Sequence, residues 1–460
     1  MRIVQVVLVL IWLGLNRTPQ AHSDGLYFAL HGKDRRSASV EGTMVKVATP
    51  EGPKSFPLSA FRTIVPGGRI DEEWQERHSS ALKSASAKTR FGGAWWALEQ
   101  GLTPEAISEF RAAMDAPGAT DHAPLLRANR MLECLDRPVL DPNGDSILRR
   151  LGGQGWFMLR GRHVDLLHQS NGIDARERLE VLDRVFETFF LSLAARGIEL
   201  PVPDRRLISV WFARQGDYVQ FLRKVEAGPF AETQGYYHPV QGVVFAFDTR
   251  TTAEQAQARQ AVERQRQDSG NSKEMIADLD RRSLLLDLRW RSVDLGIAAH
   301  ETVHQLVAAS GLAPRFDSWP IWLHEGFSAQ FEVVRGGRWA GFGRANDHRL
   351  PDWRSIRPAP QLTPLLRDEG LTHGYHRDRY AESWALVYFL RKTRPAEFVT
   401  FLELLRTPRS INQEIVTART FSMSFGENFG EIQAEWRRFM RDQNVPPKDD
   451  SKRVAHAKFP

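Results

Sequence analysis

The sequence predicts an α+β protein, and three observations carry that prediction. Short runs rich in β-branched and aromatic residues, such as Leu207 to Phe212 and Val243 to Phe247, read as buried strands. Apolar residues at helical spacing follow or precede them, as in Leu179, Leu182, Val185, Phe186, Phe189 and Leu193. Hydrophobic (42%) and charged (26%) fractions are those of a globular chain, and 460 residues suffice for a sizeable core and about three domains.

Taken in order, Met1-Arg2 and the apolar run Val6 to Leu15, followed by Ala21-His22-Ser23, read as a signal peptide over residues 1–23. The run is too short and poorly flanked for a spanning helix, the competing reading being an uncleaved anchor. A secreted or periplasmic bacterial protein with no stable membrane span is therefore expected. Cleavage would remove Arg2 and Arg17 and take the formal charge from +6 to +4. This mild excess is spread out without interleaved aromatics, so no nucleic-acid partner is expected. Cys134 is the single cysteine, which excludes an internal disulfide and cysteine zinc fingers; Met131 to Leu135 around it reads as a buried helix face.

Residues 24–70 read as a small β unit: Val40 to Val47 is a strand-like run broken by Gly42, Thr49 to Pro53 is a turn, and Phe56 to Phe61 returns. The unit is faintly similar to SH3-like modules, with a β extension packed on its neighbour as the other reading. Residues 71–136 are helical by period. Ala94 to Leu98, Gly101, Ala106, Phe110 and Ala113 resemble one tetratricopeptide-type (TPR-like) helix pair. One pair cannot stack into a solenoid, so it reads as a packing element or a short adaptor through which a protein partner could dock. Residues 137–149 are rich in Pro, Asp, Asn and Gly and read as a linker.

Over 150–445 the pattern is mixed. Strands are expected at Trp156 to Leu159, Leu207 to Phe212 and Val243 to Phe247, and helices over Ala175 to Ala195 and Tyr218 to Val225. Ala253 to Asp280 reads as an exposed polar helix and a loop, Arg335 to Gln361 as loops. Tyr380 to Phe389, Ala396 to Leu405 and Ile432 to Phe439 read as helices with Trp384 and Trp436 as anchors. Residues 446–460 read as a disordered tail.

Within that region lies His300-Glu301-Thr302-Val303-His304. Histidines four apart share one helix face and can reach one metal ion, and the glutamate after the first can reach a water on the same ion. The surrounding apolar residues read as a buried helix opening near Ser292 or Asp294 and closing near Ser310-Gly311. A second short helix is expected within Ser318 to Ala329, with Pro320 in its first turn, Ser318 or Trp319 preceding it and Glu325 on it. A catalytic zinc needs three protein ligands and an open position, and two histidines with a glutamate are one such set. Gly326 would let this helix pack closely on a neighbour. The bland alternative is two satisfied helix histidines and a surface glutamate.

The two segments together, H-E-x-x-H and then Trp322, Leu323, Glu325, Gly326 and Ala329 in the pattern W-L-x-E-G-x-x-A, resemble the gluzincin class of zinc metallopeptidases. The chain looks most like a family of uncharacterised secreted bacterial proteins, typical of planctomycetes, to which Tyr380 to Val387 is also similar. The resemblance implies a zincin-like fold over 150–445, a small mixed sheet beside the active-site helices with a helical C-terminal part. It implies zinc held by His300, His304 and Glu325, and Glu301 as general base in peptide hydrolysis. It implies an edge strand that pairs with extended substrate, for which 242–248 is the candidate, with an interior strand as the other reading. It also implies a downstream tyrosine or histidine stabilising the oxyanion: Tyr380 first, then His376 and His373.

The chain departs from relatives of that class in three places. Val307 stands where metzincins need glycine, G-x-M-E-N is absent, and His324, read as structural, replaces an asparagine common before the third ligand. Substrate specificity therefore does not transfer. A zinc-dependent peptidase is expected, and the alternatives are a zinc hydrolase acting on something other than peptides and an exported scaffold with a structural or vestigial zinc site.

Overall fold

A computed structural model describes backbone strands between residues 26 and 66, then residues 70–443 apart from short gaps, the longest at 140–146, 314–318, 372–376 and 407–412. The expected leader and tail lie outside the described residues, as does most of the 137–149 linker.

The N-terminal unit is a five-stranded antiparallel sheet of β1 (Leu26–Leu30), β2 (Asp34–Glu41), β3 (Met44–Thr49), β4 (Gly52–Pro57) and β5 (Thr63–Pro66), in the order β4-β3-β2-β1-β5. The run from Val40 to Val47 is not one interrupted strand. Glu41 pairs with Met44, so β2 and β3 form a hairpin. Thr49 pairs with Gly52 across the expected turn.

Four helices follow: α1 (Ile70–Ser84), α2 (Ala87–Glu99), α3 (Thr103–Ala113) and α4 (Ala123–Leu135). The Ser86 hydroxyl caps α2 by accepting from Thr89 N, and a proline starts α3 where its missing N–H costs nothing. Cys134 is half-buried on α4.

The second sheet has the order β6-β7-β8-β10-β9 and consists of β6 (Phe157–Arg160), β7 (Val164–His168), β8 (Leu207–Phe212), β9 (Gly235–His238) and β10 (Val243–Phe247). The three inner strands are parallel and the two edges antiparallel. Helix α5 (Gly172–Arg196) makes the crossover from β7 to β8, and α6 (Gln215–Lys224) follows β8. Strand β8 is buried throughout, and its alternation feeds two cores. Trp211 joins the large core with α5, whereas Ile208, Val210 and Phe212 join a smaller one with Tyr218 and Leu222 of α6. The 242–248 strand expected at the edge is interior, because β10 pairs with β8 on one side and β9 on the other. The edge is β9, too short and too rich in Gly and Tyr to stand out by periodicity.

Beyond α7 (Ala253–Asp268), the motif helix α8 spans Lys273–Ala309. It opens some twenty residues before the expected start, and Asp294 is no cap. Its carboxylate is buried, taking a hydrogen bond from Arg178 Nη2 at 2.7 Å. Next come α9 (Ile321–Ser328), the hairpin β11 (Val334–Arg335) and β12 (Arg338–Trp339), α10 (Arg349–Ser355) and α11 (Leu362–Leu366). The expected 335–361 loops thus hold a hairpin and a short helix. The chain closes with α12 (Arg377–Thr393), α13 (Pro395–Arg406), α14 (Gln413–Phe425) and α15 (Phe429–Asp442). Trp384 and Trp436 are both fully buried. Side chains of α2 to α4, such as Leu98, Phe110 and Leu132, belong to the same large core as Phe186, Val303, Trp322 and Trp384. The N-terminal helices therefore pack as part of this body, and among the described residues no helix is long and apolar enough to cross a membrane.

Candidate metal centre

His300 and His304 lie one turn apart on α8, and both are buried. Glu325 reaches them from α9. That helix begins at Ile321, with Pro320 in the preceding extended residue rather than inside the first turn. Asp368, from the far end of α11, accepts from Ile321 N (2.9 Å) and Trp322 N (2.8 Å) and so caps α9. Gly326 sets the close approach of α9 to α12, since a Cβ there would run into the Ser383 carbonyl.

The three side chains converge. His300 Nε2 and His304 Nε2 are 3.0 Å apart. Glu325 Oε2 is 3.2 Å from the first, and Oε1 is 3.7 Å from the second. Ligands at zinc–nitrogen and zinc–oxygen distances of ~2.1 Å in a tetrahedron are about 3.4 Å from one another. The observed 3.0, 3.2 and 3.7 Å separations bracket that value, so this donor set could hold a metal ion such as zinc. Among the described residues, this is the cluster whose donors lie close enough, within 4.8 Å, to share an ion.

The outer nitrogens are held too. His300 Nδ1 is 2.7 Å from Glu332 Oε1, and His304 Nδ1 is 3.2 Å from Ser328 Oγ. Both rings are thereby fixed with Nε2 turned to the centre, the arrangement that orients histidine ligands. Glu332 is fixed in turn by Arg349 Nη2 (2.9 Å) and by Asn346 Nδ2, which donates to Oε2 at 3.1 Å.

Charge follows this geometry. Burial opposes a charge on His300, but hydrogen bonds to Glu325 and Glu332 outweigh it and push the imidazole up to about 10. Burial likewise opposes the charges of Glu325 and Glu332. The His304 and His300 rings hold Glu325 well below the usual carboxylate range, and Arg349 with His300 does the same for Glu332. Glu301 moves the other way. Burial raises its carboxyl above the ordinary value, against the pull of His300 and His304. It faces β9: the Tyr237 N–H donates to its carboxylate, and a Cβ on Gly235 would meet Glu301 Cγ at 2.8 Å.

Of the expected site residues, the structure brings His300, His304 and Glu325 together and puts Glu301 beside them. Tyr380 is in the surround: its ring lies 5.5 Å from the Arg349 guanidinium carbon, on the same arginine that holds Glu332. His373 and His376 lie outside the described residues. His324 is buried between Trp319 and His304, with its ring 6.0 Å from that of His304. Sequence reasoning missed Glu332, Ser328, Asn346, Arg349 and Gly235. An acidic residue soon after the third ligand was the available signal, since a histidine ligand needs an acceptor at its other nitrogen.

No curated protein sequence matches the chain. Residues 294–411, which hold the three converging donors, Glu301, Glu332 and Tyr380, match an uncharacterised domain family described as "Protein of unknown function (DUF1570)".

Proposed function

We propose that this protein is an exported zinc-dependent peptidase. The observation that carries the reading is the donor set: two imidazoles and a carboxylate close enough to share an ion, outer nitrogens fixed, with a second acidic residue, Glu301, beside them left out of the set. A structural site has no need of Glu301. When bound, zinc would act as a Lewis acid that polarises a carbonyl and lowers the pKa of water.

The chain's own residues do the rest. His300, His304 and Glu325 would hold the ion. Glu301, with its carboxyl raised by burial above the ordinary value, takes a proton from the attacking water and delivers it to the leaving amine. Strand β9 is the sheet edge that reaches Glu301, and an extended peptide adding to it would have its scissile bond near that carboxylate. Tyr380 is the candidate donor to the oxyanion.

The test is metal analysis and peptide-library hydrolysis on wild type, Glu301→Gln and Glu325→Ala. The expected result is about one zinc per chain in wild type and Glu301→Gln, as one closed donor set requires. Glu325→Ala should hold little zinc, and only wild type should cleave peptides. Zinc in wild type with equal folding and no hydrolysis of any peptide would favour the scaffold reading, and activity confined to other substrates would favour a different zinc hydrolase.

A further inference from the structure

Building on the zinc reading, on which it rests, we infer that the turn Glu99-Gln100-Gly101, between α2 and α3, is a brace for the metal centre. It holds the 339–349 segment whose Asn346 and Arg349 fix Glu332, and through Glu332 it sets His300. The N-terminal helices would then be part of the support of the site rather than a free adaptor.

The contact is backbone against backbone. Gly343 N donates to the Glu99 carbonyl at 2.9 Å. Gly101 and Gly341 face each other with φ of +73° and +74°, and a Cβ on Gly101 would meet Gly341 N at 2.7 Å and Trp339 O at 2.8 Å. A Cβ on Gly341 would run into the Glu99 carbonyl and Gly101 N. Arg344 Nε donates to Gln100 Oε1 and ties the segment to the turn, and Lys392 Nζ of α12 donates to Glu99 Oε1 at 2.9 Å and fixes the turn from the other side. Trp339 and Phe342 seat this segment in the large core, and at Gly341 and Gly343 its backbone meets the Glu99-Gly101 turn with no side chain between.

From this contact the chain runs straight to the outer shell. Asn346 is buried, and its Oδ1 accepts from His348 N (2.9 Å) and Arg349 N (3.1 Å), which aims Nδ2 at Glu332. At the other end, Ala340 N donates to the Val333 carbonyl at 2.8 Å, next to Glu332. Glu332 therefore sits between two anchored ends of one segment. Metal sites tolerate displacements of only about 0.5 Å before the supporting hydrogen bonds fail. A backbone contact without slack is suited to hold that tolerance.

Glu99, Gln100 and Gly101 are positioning residues, and zinc affinity of the metal-free protein, measured by competition with a chromophoric chelator, reads their effect. The variants are Arg344→Ala, Gly341→Ala, Asn346→Ala and, as a control in the N-terminal helical segment, Gly118→Ala. Gly118 has φ +82° and nothing within 4 Å of an added Cβ. The control should lower the melting temperature and leave affinity within about twofold, whereas Arg344→Ala should weaken zinc about 3–10-fold and Gly341→Ala more than about tenfold, the range of supporting-shell losses. Adding Gly341→Ala to Asn346→Ala should cost little more than Asn346→Ala alone, since both act along one path. If Gly341→Ala does not fold, Arg344→Ala carries the test. Folded Arg344→Ala with wild-type affinity, beside an Asn346→Ala that has lost it, overturns the brace. Wild type that takes up no zinc overturns the metal reading and the brace with it.

Discussion

Glu332 Oε1 lies 2.7 Å from His300 Nδ1, so a carboxylate beyond α9 orients a histidine on α8. Arg349 and Asn346 hold that carboxylate in turn. Glu332→Ala should lower zinc affinity about 10–100-fold with helix content unchanged. Glu332→Gln should lie between, because its amide oxygen can still accept from Nδ1–H. Equal zinc affinity in all three proteins, measured by chelator competition, would show that His300 needs no such partner.

Gly235 is where the edge strand meets Glu301, the proposed general base. Gly235→Ala would place a methyl at 2.8 Å from both Glu301 Cγ and Ile297 Cγ2. The proposed ligands His300, His304 and Glu325 are untouched, so zinc content should stay at the wild-type level. Peptide hydrolysis should fall about 100-fold, the cost of displacing a catalytic group by roughly 1 Å. Loss of zinc and activity together would mean that the substitution acts by disturbing α8 as a whole.

Metal binding should release protons. In the metal-free protein His300 is pushed up to about 10, so at pH 8 it carries a proton that zinc must displace. Affinity should rise about tenfold per pH unit between pH 7 and 9 for that one proton. Calorimetry in buffers of different ionisation enthalpy reads the number released. The same raised pKa gives a sign for stability without metal. Its contribution is complete below the unfolded value near 6.5 and is lost as pH rises towards 10. The metal-free protein should therefore melt earlier at pH 9 than at pH 7.

Asp368 caps α9 from a backbone with φ of +56°, a region that favours Asp, Asn and Gly. Asp368→Ala loses both accepted hydrogen bonds and should cost about 0.5–2 kcal/mol for the cap, with roughly 1 kcal/mol more for the backbone. Asp368→Asn keeps one accepting oxygen and tolerates the backbone, so its unfolding midpoint in denaturant should fall between the two. A midpoint for Asp368→Ala equal to wild type would count against the cap.

Much was legible in the residues alone. The i, i+4 histidines had to share a helix face because the helical period places them there, and Glu325 was found by its distance along the chain and the pattern around it. Strands such as Leu207 to Phe212 were legible because a strand buried on both faces reads as an unbroken apolar run. The α+β class followed from those periods.

Only the tertiary structure decided which strand is the edge, which carboxylate holds His300, and where the N-terminal helices go. β9 is four residues, Gly-Tyr-Tyr-His, and its place depends on pairing with β10 rather than on its own period. Glu332, Asn346 and Arg349 meet through a hairpin and a turn of no regular spacing. The Gly101–Gly341 contact joins residues far apart in the chain by close approach of backbones, for which single-chain periodicity has no signal. Local pattern determines what an element is and which way its face points. Which faces meet is settled by long-range packing, where glycines and buried polar partners act only once the chain has folded.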